Sequence, residues 1–164
     1  MLYQAELHPA CDLLTSIGQI GTRTGRPELK VLIIRAMRGS FATVLNCMDG
    51  RIQVPVILHL LDRFGVEYID TITEAGIVRC LSDEIDSPQT ESTLHSILIS
   101  IEKHGSRQIA IVAHDDCAGN PIPAEMQQDQ VRVSVMRLKE HFPHCEILGL
   151  WVDADLQVQE IAQS

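Results

Sequence analysis

A chain of 164 residues has the length of one domain with a single sizeable core. Its residues are 45% hydrophobic, 21% charged and 4% aromatic, the profile of a globular protein with a mostly aliphatic core and not of a disordered or fibrous chain. A formal net charge of −9, with no run of Lys and Arg to offset it locally, offers a phosphate backbone nothing to hold and excludes nucleic acid as the expected partner.

The longest apolar stretches, "KVLIIRAM" and "VPVILHLL", fall short of the roughly 20 residues that span a bilayer. The start, "MLYQAELHPACDLL", has neither the basic n-region nor the long apolar h-region of a secretory signal. A cytoplasmic protein without a membrane partner is expected. The five cysteines, at 11, 47, 80, 117 and 145, are odd in number and dispersed. That pattern suits reduced thiols, some of them candidate metal ligands, better than a disulfide framework.

In chain order, "SIGQIGTRTGRPE" is rich in glycine and turn residues and reads as a linker after a helix near Pro9 to Ile20. "KVLIIRAM" fits helix or strand. Residues 1–40 are therefore expected to form a helical arm and linker, and residues 41–164 an α/β domain. "FATVLNC", residues 41–47, predicts a first strand, and "IQVPVILHLLDRFG" a helix whose Val54, Ile57, Leu58 and Leu61 repeat at helical spacing up to a stop at Gly65. "VEYIDTI" predicts a second strand leading into a long loop, "TEAGIVRCLSDEIDSPQ". A helix from about Thr90 to Lys103 follows, with Leu94, Ile97, Leu98 and Ile101 on one face. "RQIAIVAH" is a near-continuous apolar run, as in a strand buried on both faces. After "DDCAGNPIP" comes a helix from about Ala124 to His141 carrying Val131, Val135 and Leu138, then a fourth strand, "EILGLWVD". "ADLQVQEI" turns back as a short antiparallel edge. The alternation of strands and helices predicts a mostly parallel four-stranded sheet flanked by helices, with that C-terminal edge strand added.

Parallel α/β sheets carry their functional groups just beyond the C-terminal ends of the strands. Cys47 ends the first strand, His114 ends the third, and Cys117 follows His114 by three residues. Neighbouring strands would bring the three together. Two thiolates and one imidazole suit a borderline-soft tetrahedral ion, and three protein ligands leave a fourth position open, as a catalytic zinc site requires. Taken singly, each half is also explained by a buried thiol or a chance His and Cys pair. Asp49 and Arg51 can cap the helix that follows, or form a carboxylate held by a guanidinium beside the metal; the two roles are compatible.

"CMDGR" and "HDDC" resemble the CxDxR and HxxC signatures of the beta-class carbonic anhydrases, in the family's order and each at a strand end. The resemblance covers about residues 41–161, with "EAGIV" similar to the family's "NAG" loop and "LGLWVDADLQVQEI" to its closing strand and hairpin. It implies Zn2+ held by Cys47, His114 and Cys117, with Asp49 and Arg51 as the dyad that orients a zinc-bound hydroxide attacking carbon dioxide. It also implies a substrate pocket near Glu74, Ala75 and Gly76, and a homodimer or higher homo-oligomer with the site close to the interface. The departures are Glu74 where the family carries Asn, Thr73 where it carries Arg, and Ala118 directly after Cys117 where it carries Gly. An extra carboxylate at Glu74 can accept protons or repel bicarbonate. Two alternatives therefore stand beside carbon dioxide hydration. One is a zinc hydrolase acting on another small heterocumulene, such as carbonyl sulfide or carbon disulfide. The other is a non-catalytic zinc protein in which Asp49 closes the fourth position. A dinucleotide-binding domain finds no support, because no GxGxxG follows the first strand.

Overall fold

The computed structural model describes residues 39–83 and 87–164. The expected N-terminal arm, with "KVLIIRAM" and Cys11, lies outside the described residues apart from Gly39 and Ser40. Strands β1 (Phe41–Asn46), β2 (Tyr68–Thr73), β3 (Gln108–His114), β4 (Glu146–Val152) and β5 (Val158–Gln163) form one sheet in the order β2-β1-β3-β4-β5. The first four pair in parallel and β5 joins β4 antiparallel, as the alternation of elements predicts. Helices α1 (Gly50–Phe64), α2 (Ile77–Asp83), α3 (Pro88–Ile99) and α4 (Ala124–His141) connect them, and α3 runs on into a π-helical turn at Ser100–His104.

Alternate residues of β3 face opposite sides of the sheet, so two cores form. Ile109, Ile111 and Ala113 pack with Ile77, Ile97, Val131, Val135 and Trp151 beneath α2, α3 and α4. Ala110 and Val112 pack with Val44, Leu148 and Leu150 and with Ile52, Val56 and Leu60 of α1. Burial on both faces is what makes the central strands read as unbroken apolar runs.

Two features differ from the sequence expectation. The spacing of Val54, Ile57, Leu58 and Leu61 predicts that face of α1 as buried, yet Val54 and Leu58 are more than 60% exposed and Ile52, Val56 and Leu60 are buried instead. Aliphatic residues surround α1, so two stripes share the helical period. Packing decides between them: Ile52, Val56 and Leu60 meet the sheet residues Val44, Ala110, Val112, Leu148 and Leu150, while Asp49 caps the start of the helix through the Arg51 amide. The second difference is α2, which occupies part of the expected loop after β2 and buries Ile77, Val78, Cys80 and Leu81. Seven residues are too few for a helical period to stand out in sequence; tertiary packing stabilises such a helix.

The π-helical turn also shifts the end of the third helix. It brings Ser100 under the sheet, where its hydroxyl lies 2.8 Å from that of Thr43 and 2.5 Å from Asp70. Gly65 ends α1 in the left-handed conformation, φ 62°, in line with the expected stop.

Leu60→Ala is expected to cost about 2–5 kcal/mol in urea unfolding, the range for emptying a fully buried leucine site. Asp129→Ala, which removes an exposed ion pair to Arg132, should cost no more than about 1 kcal/mol.

Candidate metal centre

β1 and β3 are adjacent and parallel, with Leu45 opposite Ile111. Cys47 therefore lies two residues beyond that pair and His114 three, both at the C-terminal end of the sheet. The chain turns at Asp115 and Asp116, the latter in the left-handed region at φ 52°, and brings Cys117 back beneath Cys47. Their sulfurs are 3.8 Å apart, and the candidate ligand atoms of Cys47, His114 and Cys117 all lie within 4.8 Å of one another. Among the described residues this is the one cluster of its kind, and all three members are buried.

The donor set fits zinc on two counts. Zinc–sulfur bonds of about 2.3 Å at a tetrahedral angle of about 109° place two sulfurs about 3.8 Å apart, which matches the separation found. The second count is the imidazole. His114 Nδ1 lies 2.8 Å from the carbonyl oxygen of Asp115, which can only accept, so Nδ1 carries the hydrogen and Nε2 presents its lone pair. Nε2 is buried without a hydrogen-bond partner. An orphaned buried nitrogen beside two thiols fits a metal ion as its missing partner.

The three groups perturb one another in opposite directions. Burial raises the Cys47 thiol, but the nearby His114 ring and the backbone amides of Gly76 and Asp49 together outweigh it and bring it from 9.0 down to about 7. Burial lowers His114, yet Cys47 and the Asp115 carbonyl hold it above its ordinary 6.5. Cys117 is raised above 9.0 by burial and by the Cys47 charge. At neutral pH the metal-free site thus retains protons that an ion must displace.

Beside the cluster, Asp49 receives hydrogen bonds from Arg51 at both oxygens: Nε lies 3.1 Å from each, Nη2 2.7 Å from Oδ2, and the Arg51 amide 2.9 Å from Oδ1. These contacts hold its carboxyl at about 2 instead of 3.8. Capping and guanidinium pairing coexist in the same two residues. Arg51 also reaches the turn between His114 and Cys117, with Nη1 3.3 Å from Asp116 Oδ2.

Glu74 extends the β1–β2 ladder past Cys47. Its amide donates to the Asn46 carbonyl at 3.2 Å, and its own carbonyl accepts from the Met48 amide at 3.3 Å. Its side chain turns back on itself, with Oε1 accepting from the Ala75 amide. Ala75 and Gly76 then press on Gly119: a Cβ on Gly119 would fall 2.6 Å from the Gly76 nitrogen, and one on Gly76 2.6 Å from the Gly119 oxygen. Gly119 thereby provides close approach one residue later than the family pattern, behind Ala118. A cavity of about 250 Å³ is lined by His114 together with Arg51, Ile52, Asp115, Asp116, Asp153 and Leu156 among others, and Glu74, Ala75 and Gly76 are not among its walls. Asp153 and Leu156 come from the β4–β5 turn, which lies in the expected closing hairpin but carried no expected site role. Cys80 and Cys145 are also buried but are not members of the cluster.

Residues 37–162 match the family model described as "Putative carbonic anhydrase", and the chain belongs to that family. No curated protein matches it. Among solved structures it is similar to beta-carbonic anhydrase isoform I of Trichomonas vaginalis, at 16% identity over 93% of each chain with a TM-score of 0.53. It is similar to a carbonic anhydrase from Glaciozyma antarctica, at 18% identity over 99% of this chain and 100% of that one, TM-score 0.54. A tetrameric beta-carbonic anhydrase of the filamentous ascomycete Sordaria macrospora aligns at 11% identity over 94% and 95%, TM-score 0.55. At these identities the shared property is the fold. Among the described residues no helix is long and apolar enough to cross a membrane.

The purified chain is expected to take up one zinc ion, with the affinity falling throughout the descent from pH 9 to 6, because the ion must displace a proton from Cys117, held above 9.0, and below neutrality also competes for Cys47, at about 7, and for His114, held above 6.5. Chelator competition across pH 6–9 measures this; uptake that is independent of pH would contradict it.

Proposed function

We propose that the protein is a zinc-dependent carbonic anhydrase that interconverts carbon dioxide and bicarbonate. The observation that carries the proposal is the buried set Cys47, His114 and Cys117, with its sulfurs 3.8 Å apart, beside an Asp49–Arg51 pair at the ends of adjacent strands. Cys47 Sγ, Cys117 Sγ and His114 Nε2 would hold the ion. When bound, zinc supplies Lewis acidity, acidifying a coordinated water so that a nucleophile exists at neutral pH.

The remaining work falls to the chain. Arg51 keeps Asp49 ionised far below neutral pH, so the carboxylate acts only as a hydrogen-bond acceptor and orients the attacking oxygen without taking its proton. The Asp115 carbonyl fixes the His114 tautomer. Both Asp49 oxygens are engaged by Arg51, which favours an open fourth position over the non-catalytic reading in which Asp49 fills it.

A second substrate class is favoured by the cavity walls. Asp115, Asp116 and Asp153 outnumber Arg51 there, an arrangement that disfavours bicarbonate as a substrate while admitting neutral linear molecules, carbon dioxide and its sulfur analogues alike. Carbonyl sulfide and carbon disulfide are the candidates, and they should be assayed beside carbon dioxide.

Stopped-flow hydration of carbon dioxide should show turnover that Cys47→Ser and Asp49→Ala each reduce to the uncatalysed rate; full activity in both variants would sink the reading. We also propose a homodimer or larger homo-oligomer. The exposed apolar side chains of Met48, Val54 and Leu58, on and just before α1, give a partner surface to cover beside the site. Sedimentation equilibrium should return a dimer or larger assembly, and a monomer at micromolar concentration would refute that part.

A further inference from the structure

We infer that Gln53 is a positioning residue for the metal centre: its side-chain amide ties the backbone carbonyls of Cys47 and Asp49 to the first turns of α1. This rests on the reading of Cys47 as a metal ligand. Nε2 of Gln53 donates to the Cys47 carbonyl at 2.6 Å and to the Asp49 carbonyl at 3.2 Å. Its Oε1 accepts from Asn46 Nδ2 at 3.4 Å, and Asn46 is fully buried. One amide group thus touches Asn46, Cys47 and Asp49 of the strand-end turn.

The turn needs such a clamp. Pairing of β1 with β3 ends at Leu45, and the β2 side engages the Asn46 carbonyl and the Met48 amide, so the Cys47 carbonyl has no partner in either ladder. Its neighbour Met48 is exposed and offers no packing to fix the backbone. Gln53 satisfies that carbonyl from the fourth residue of α1 and straddles the two residues whose side chains the site uses. Gln53 thus holds the backbone of both residues without touching the Cys47 sulfur or the Asp49 carboxylate, which Arg51 orients. A residue that could only pack in this position would leave the turn hinged at Met48. The CxDxR signature does not include Gln53, and its role was invisible in sequence because Gln53 reads there as an ordinary polar residue of an amphipathic helix.

The test uses Gln53→Glu, which keeps size and removes the donor, and Gln53→Leu, which removes both polar atoms; Leu60→Ala, at a fully buried position of the same helix, serves as a control for general destabilisation. In the metal-free proteins, alkylation by iodoacetamide is mapped by mass spectrometry. Both Gln53 variants should label faster at Cys47 by several-fold with Cys117 and Cys145 unchanged, whereas Leu60→Ala should leave the ratio of Cys47 to Cys117 labelling as in the wild type. With cobalt(II) as the probe, the Gln53 variants should bind about tenfold more weakly and show a shifted thiolate-to-cobalt absorption, in the range that loss of a supporting hydrogen bond costs a metal site. If all three cysteines respond together, or none responds in either Gln53 variant, the positioning role is wrong. Should the wild type bind no cobalt, the metal reading fails on its own, and the labelling ratio still decides the role of Gln53.

Discussion

The parallel pairing of β1 with β3 is the constraint on which the site depends. It sets two thiols from residues 70 positions apart within 3.8 Å, in a buried pocket where neither could be brought by a local turn. That contact has an electrostatic cost in the metal-free chain, since Cys117 is pushed up by burial and by the charge of Cys47. A divalent cation relieves both effects at once, and this is why the sheet register and the donor chemistry have to be considered together. The cores on the two sheet faces hold the register: Leu45, Ile109 and Ile111 pack below, Val44, Ala110 and Val112 above.

Around this pair the loops are held by backbone contacts more than by side-chain bulk. Glu74 zips β2 to both sides of Cys47, and the Gly76–Gly119 contact lets the loop after β2 rest on the loop after Cys117 with no side chain between them. The amide of Gly76 is thereby aimed at the Cys47 sulfur and stabilises its thiolate. Arg51 links the two motifs from the other side, pairing with Asp49 of one and Asp116 of the other. Arg51 and Asp116 are both largely exposed, so that second pair orients the guanidinium more than it stabilises the fold.

How much of this was legible in sequence follows from which interactions are local. The strand β3 and the helix α4 stand out because their burial imposes a clean pattern, unbroken for the strand and i, i+4, i+7 for Val131, Val135 and Leu138. The candidate ligands were legible because strand ends are where a parallel sheet presents chemistry, and the three residues sit there. The buried face of α1 was not legible, because Ile52, Val56 and Leu60 compete with an equally apolar stripe and only tertiary packing on the sheet distinguishes them. The walls of the cavity were hidden for a different reason. Asp153, Ala154 and Leu156 reach it from the β4–β5 turn, 39 to 42 positions from His114 in the chain, so no spacing rule links them to it. Gln53 acts through backbone carbonyls, and those carry no residue signature at all.

The central claim is that this chain builds a site for zinc with two sulfur ligands and one imidazole, leaving a place for a small oxygen ligand. X-ray absorption at the zinc edge of the reconstituted protein addresses it directly. The account predicts two sulfurs at about 2.3 Å and two nitrogen or oxygen scatterers at about 2.0 to 2.1 Å, one of them with the outer-shell pattern of an imidazole. A shell of oxygen and nitrogen alone, or one of four sulfurs, would contradict it.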